Sequence, residues 1–315
     1  MARKGQKMVK AVGHKEYRVQ FVGDDEYSPR KVTRLRHNYD DHPLLTLPAL
    51  AQLAKRLYKK NTKQVRFVSK GVQLDSKFNT TTENPDQISI EDVFKNISNP
   101  GSWIALWTIQ SEPEYKKLLW EIINSVEGDW KKKDPGLFEL NGYVFISSPP
   151  SVTPFHVDSE NNFLLQLAGK KKFGVWQPHD TKVISDEAAE DWIVHRNLEK
   201  VKYQPEFLET AIVDDVLKAG DGIYMPSAAP HLTHAEVDLA TPESPYSITL
   251  AVVFYTRNTR KLAYIYSVNK MLRKFGLVPN PPEANKALDL FKYLVGRTMV
   301  LLQRALRVYS PPTGF

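Results

Sequence analysis

The sequence predicts a mainly β domain flanked by helices. Three observations predict it. Between about residues 140 and 256, apolar residues recur in short runs with strand alternation, as at 162–166, 171–175, 222–225 and 247–256. Glycine and proline punctuate those runs, at Gly169, Gly220, Pro226 and Pro230. Outside this core the spacing changes to three and four residues, as expected of amphipathic helices. Four regions follow: a basic, partly flexible head at 1–30, an α/β part at 31–139 that packs on the core, the β core at 140–256, and a helical region at 257–315.

Taken in order, residues 1 to 15 are basic, with little apolar pattern, and read as mobile. Residues 16–22 alternate as a short strand. Residues 30–41 are polar and loop-like, and His37 and His42 within them read as structural. Between 43 and 58, Leu47, Leu50, Ala51, Ala54 and Leu57 fall on one helical face. Residues 64–69 form a strand. A helix starts at 88–94 with Ser89 as its cap, and Pro100-Gly101 ends it. Residues 103–107 make a buried strand in which Trp103 and Trp107 share a face, either in the core or at a pocket mouth. A helix at 112–126 and a solvated loop at Lys131-Lys132-Lys133 lead to the β core.

The core contains His156-Val157-Asp158. Two-residue spacing on a strand points both side chains the same way, within reach of one ion. An imidazole with a carboxylate suits iron, zinc or manganese, and a second imidazole would complete a facial triad. His231, delivered into a strand by the bend at 226–230, is the candidate. The spacing alone is weak, because the eight histidines also supply His14-Lys15-Glu16 and His234-Ala235-Glu236. His234 faces the opposite side from His231 and stands as the alternative ligand. Parity also sorts the lysines: Lys171 shares a face with Phe173 and Val175, whereas Lys170 and Lys172 turn to solvent. A buried ammonium among apolar neighbours requires an anion. The charged segment at 178–202 reads as irregular and exposed, so neither His179 nor His195 is a ligand candidate; as a long insertion between the two halves of the motif it would cover a substrate.

The pattern T-x-x-H-x-D-x3-N-x8-K from Thr153 to Lys171, followed by G-D-x-x-Y-x-P-x4-H from Gly220 to His231, resembles the JmjC and cupin-type 2-oxoglutarate oxygenases, particularly their asparaginyl-hydroxylase branch. The run at 43–58 is similar to the N-terminal part of small cupin-like proteins of the same broad class. The resemblance implies a double-stranded β-helix, or jelly roll, at 140–256. It also implies an Fe(II) site at His156, Asp158 and His231, and a 2-oxoglutarate site at Lys171 assisted by Thr153 and Asn162. A protein, peptide or small molecule would then be hydroxylated at a C–H bond; a non-catalytic, ligand-sensing cupin is the alternative. The chain departs from the family's pattern at Ala228, Pro230 and Val253.

Composition bounds the remaining possibilities. A chain of 315 residues with 42% hydrophobic and 25% charged residues is ordinary for a globular protein of one or two domains. It has no cysteine, so any metal must be held by histidines and carboxylates. No signal-like segment and no apolar run of spanning length occurs, which leads to the expectation of a cytoplasmic protein without a membrane span. The net charge of +7 is dispersed and no nucleic-acid motif accompanies it, so nucleic acid is not an expected partner. The helix at 284–309 is apolar over more than half its circumference, interrupted by Lys292 and Arg297. Such a face needs a cover, from the core or from a second copy in a homodimer.

Overall fold

A computed structural model describes residues 15–23, 26–68, 74–75, 81–82, 89–242 and 244–315. Residues 1–14 of the basic head, with His14, lie outside them. The N-terminal part runs β1 (Val19–Phe21), β2 (Thr33–His37), α1 (Leu47–Lys60), β3 (Val65–Val68), β4 (Thr81–Thr82), α2 (Ile90–Lys95), β5 (Trp103–Leu106), α3 (Pro113–Ser125) and α4 (Trp130–Lys133). The core follows with β6 (Phe138–Ser147), β7 (Ser151–Val157), β8 (Asn161–Ala168), β9 (Lys170–Val175), α5 (Asp186–His195), β10 (Val213–Lys218), β11 (Asp221–Met225), β12 (Pro230–Ala235) and β13 (Ser247–Tyr255). Two helices, α6 (Arg257–Lys274) and α7 (Lys286–Ala305), close the chain.

The strands form two antiparallel sheets, one ordered β1-β2-β11-β8-β13-β6-β5-β3-β4 and the other β10-β9-β12-β7. Their middles face each other through Leu164, Ile223 and Met225 on the large sheet and Phe173, Val175, Val213 and Leu217 on the small one. Four strands against four, with the large sheet extended at both ends, is the jelly roll that the resemblance implied. The other face of the large sheet is covered by α1 and α3, whose Leu50, Leu53, Leu57, Ile122 and Ile123 join Phe163, Leu165 and Leu167 of β8 in the main core. With both faces covered, β13 is buried at all nine positions and loses the polar-out alternation. Gln166, polar and fully buried in β8, is satisfied by Ser247 Oγ at 2.9 Å and by the hydroxyl of Thr249, which donates to it at 2.8 Å.

The β8–β9 turn sets the register of Lys171. Gly169 has φ +64, and a Cβ there would lie 2.1 Å from the Tyr246 carbonyl oxygen, so only glycine fits. Pairing of Leu217 with Lys171 on β10 then holds the lysine facing inward.

Several expectations are corrected. The stretch around His37 is a strand in which Thr33, Leu35 and His37 are buried and the two arginines are exposed. Lys131–Lys133 lies in one helical turn rather than a loop, because Trp130 anchors it in the core. The acidic segment is not irregular: α5 begins at Ser185, whose side chain accepts from the Ala188 amide. Lys292 does not simply interrupt the apolar face of α7; it is buried and donates to the Asn280 carbonyl at 2.9 Å. Among the described residues no helix is long and apolar enough to cross a membrane.

Candidate active site

A cavity of about 250 Å³ opens between the two sheets. His156 near the end of β7, Asp158 just after it, and His231 in β12 meet in its wall, and their ligand atoms all lie within 4.8 Å of one another. Strand pairing produces this convergence, because His231 is the register partner of His156. Nδ1 of His156 is 2.7 Å from the Pro154 carbonyl and Nδ1 of His231 is 3.0 Å from that of Ala229. A carbonyl only accepts, so both Nδ1 atoms carry the proton and both Nε2 atoms present a lone pair. These Nε2 atoms stand 3.9 and 3.7 Å from the two carboxylate oxygens of Asp158. Two atoms bound to one ion at about 2.1 Å can be at most about 4.2 Å apart, so both histidine–carboxylate separations are within reach of a single metal. Neutral imidazoles are what a metal requires. Burial, with the neighbouring His231, holds His156 well below the usual histidine range, and burial lowers His231 to about 4. Burial and the charge of Glu160 push Asp158 up to about 7, with Arg196 opposing.

The loop before His231 clamps the one carrying Asp158. The Ala228 amide donates to the Asp158 carbonyl at 2.8 Å and Ser227 Oγ donates to the Ser159 carbonyl at 2.8 Å. The Ser227 amide donates to Asn161 Oδ1, and Asn161 Nδ2 donates to the buried carboxylate of Asp134. Ala228, at the position where the resemblance leads one to expect glycine, takes φ 65.

Thr153, Asn162 and Lys171 line the same cavity. Lys171 is 3% exposed, and among the described residues no carboxylate pairs with it. Burial alone lowers its ammonium to about 8. Asn162 Oδ1 is buried without a hydrogen-bond partner. A buried cation without a counter-ion among the described residues suits a small anionic ligand rather than a closed core.

Among the described residues, the other histidines stay apart from this centre. His234 bonds Glu236 at 3.0 Å on the far side of β12, His179 meets the Tyr266 hydroxyl at 3.1 Å, and His37 bridges the carbonyls of Gln166 and Asp221. Trp107 lines the cavity, while Trp103 does not, packing instead behind it on the wall residue Phe145. Four wall residues carried no clear signal in the sequence: Tyr143, Glu160, Trp192 and Arg196. Glu160 lies two residues beyond Asp158, and Trp192 with Arg196 belong to a helix that was read as irregular.

Fold and cluster together define a class, a cupin-type barrel built around one metal site. Residues 120–258 match the family model of the JmjC domain, and the chain carries a JmjC domain. No curated protein matches it by sequence. Among solved structures it is similar to YcfD, a ribosomal oxygenase from Escherichia coli. The complex of YcfD with cobalt and 2-oxoglutarate aligns at 17% identity and TM-score 0.48, over 91% of this chain and 69% of that one. The complex with cobalt and succinic acid gives 17% and 0.47 over the same shares, and a further YcfD structure 15% and 0.45 over 90% and 68%.

Proposed function

We propose that the protein is an Fe(II)- and 2-oxoglutarate-dependent oxygenase that hydroxylates a C–H bond of a protein, peptide or small molecule. One observation carries the reading: a His/Asp/His cluster shares its cavity with a buried lysine that lacks a counter-ion. His156, Asp158 and His231 would hold the metal through two Nε2 atoms and a carboxylate, leaving further coordination positions open. Lys171 would bind the distal carboxylate of 2-oxoglutarate, with Thr153 and Asn162 beside it. Bound together, Fe(II) and 2-oxoglutarate supply activation of dioxygen for hydroxylation, with succinate and carbon dioxide as by-products. The protein orients these groups and excludes water: Leu164, Phe173, Ala251 and Val253 make the cavity's apolar lining, and the carbonyl bonds at both Nδ1 atoms fix the imidazole rings.

The deciding measurement is succinate formation from 2-oxoglutarate by the iron-loaded protein. Lys171→Ala should retain metal and lose 2-oxoglutarate binding, while Lys170→Ala and Lys172→Ala should leave both intact. Equal behaviour of all three variants, or a wild type that neither binds nor turns over 2-oxoglutarate, would point to the ligand-sensing cupin instead. The protein would also form a homodimer through the exposed apolar residues of α7 and of the turn after α6.

A further inference from the structure

Arg196 sits at the C-cap of α5 with φ 56, and its side chain reaches the wall of the metal cavity. Its guanidinium is held by four neutral acceptors. Nη1 donates to the carbonyls of Ile193 at 2.8 Å and Trp192 at 3.2 Å. Nη2 donates to the Tyr255 hydroxyl at 3.2 Å and to the Thr313 carbonyl at 2.5 Å. Among the described residues no carboxylate forms an ion pair with it, although its charge acts on Asp158 across the cavity. The Tyr255 hydroxyl also bonds Ser159 Oγ at 2.8 Å, and Ser159 directly follows Asp158.

Behind this wall, Thr313, Gly314 and Phe315 close a crevice against Arg196, Tyr255 and Tyr266. Phe315 is buried, with its ring edge-on to Tyr264 at 5.6 Å. Gly314 has φ +111, and a Cβ there would lie 2.7 Å from Cε1 of Tyr255. The Tyr309 hydroxyl donates to the Val194 carbonyl at 2.7 Å, so the same stretch is tied to α5 a second time.

We infer that Arg196 is a positioning residue of the metal cavity and that residues 313–315 are the strap that holds it there. Capping α5 needs only the two carbonyls of its own last turn; the other two bonds reach to β13 and to residue 313. Through Tyr255 and Ser159 that reach ends at the loop carrying Asp158. A fixed positive charge in the same cavity as Lys171 also favours an anionic ligand, set against the carboxylates of Asp158 and Glu160. This last point rests on the proposed 2-oxoglutarate site, whereas the mechanical link does not.

Two full-length variants test it. Gly314→Val displaces the strap by steric conflict with Tyr255, and Arg196→Gln removes the charge and the guanidinium fork. The primary readout is hydrogen–deuterium exchange of the metal-free protein. Both variants should speed exchange across residues 158–162 by about tenfold, with β11 unchanged. Arg196→Lys should restore part of the protection. Calorimetric titration of the manganese-loaded protein should show 2-oxoglutarate bound about tenfold more weakly by Arg196→Gln. Wild-type exchange at 158–162 in Arg196→Gln would overturn the strap, and that variant decides alone should Gly314→Val not fold. A wild type that binds no metal or 2-oxoglutarate would instead remove the oxygenase reading, and exchange would still decide the strap.

Discussion

Lys171 is where stability and ligand binding oppose each other. Its ammonium is buried without a protein carboxylate, and burial lowers it from 10.5 to about 8. Because the folded value lies below the unfolded one, the folded state binds the proton less readily than the unfolded state. The cost is complete below pH 8 and is relieved as pH rises toward 10.5. Lys171→Met should therefore stabilise the ligand-free protein at pH 7 by on the order of 3 kcal/mol. The gain should shrink on going to pH 10, and chemical denaturation at the two pH values would show it. An unchanged midpoint at pH 7 would mean that the ammonium is compensated. Ala228 poses a smaller question of the same kind, because it occupies a left-handed conformation in the loop that clamps Asp158. Ala228→Gly should raise stability by about 0.5–1 kcal/mol, the left-handed penalty less the entropy glycine gains when unfolded. A lower melting temperature for this variant would show that the methyl group packs favourably.

Helix α5 brings Trp192 and Arg196 to the cavity, docked by the buried Ala188, Ala189, Ile193 and Val194 and by buried charge pairs. Glu190 is fully buried and accepts from Arg273 of α6 at 2.7 and 3.3 Å, while Asp191 pairs with Lys270 and, at 2.9 Å, with Lys200. Removing one partner of a buried pair leaves an uncompensated charge. Arg273→Ala should cost on the order of 3 kcal/mol, and adding Glu190→Gln should recover part of it. A double variant no more stable than Arg273→Ala would show that the lost packing of the arginine stem dominates. The dependence of α5 on α6 also explains why an acidic stretch forms a buried helix.

The two last helices leave an apolar surface open: Phe275, Leu277 and Val278 after α6, and Leu290, Phe291, Leu294, Leu301 and Leu302 on α7, are all exposed. A patch of that extent is covered in most soluble proteins. A homodimer through this face should sediment as a species of twice the chain mass, and Phe291→Glu with Leu302→Glu should convert it to monomer without loss of helix content. A concentration-independent monomer in the wild type would remove the proposal. The cavity lies between the sheets rather than on this face, so metal binding should survive the conversion.

The sequence by itself determined what depends on neighbours along the chain. Strand parity placed His156 with Asp158 and singled out Lys171 from its two flanking lysines, because alternation is a property of the extended backbone. Helical spacing located α1, α3 and α7 to within a few residues. The strand at His37 was missed, because a histidine at a core position and two arginines between made the alternating T-R-L-R-H read as a polar loop. Tertiary structure decided which of two like-spaced pairs joins the cluster. His234 and Glu236 share the spacing of His156 and Asp158; alternation along β12 turns His234 away from His231, as parity implied, and only the pairing of β12 with β7 sets His231 opposite His156. It also decided that Trp107 rather than Trp103 lines the cavity, and that Glu190 and Asp191 are buried in a helix. Each outcome depends on partners far away in sequence, in these cases β7, β6 and α6, whose approach no local pattern records.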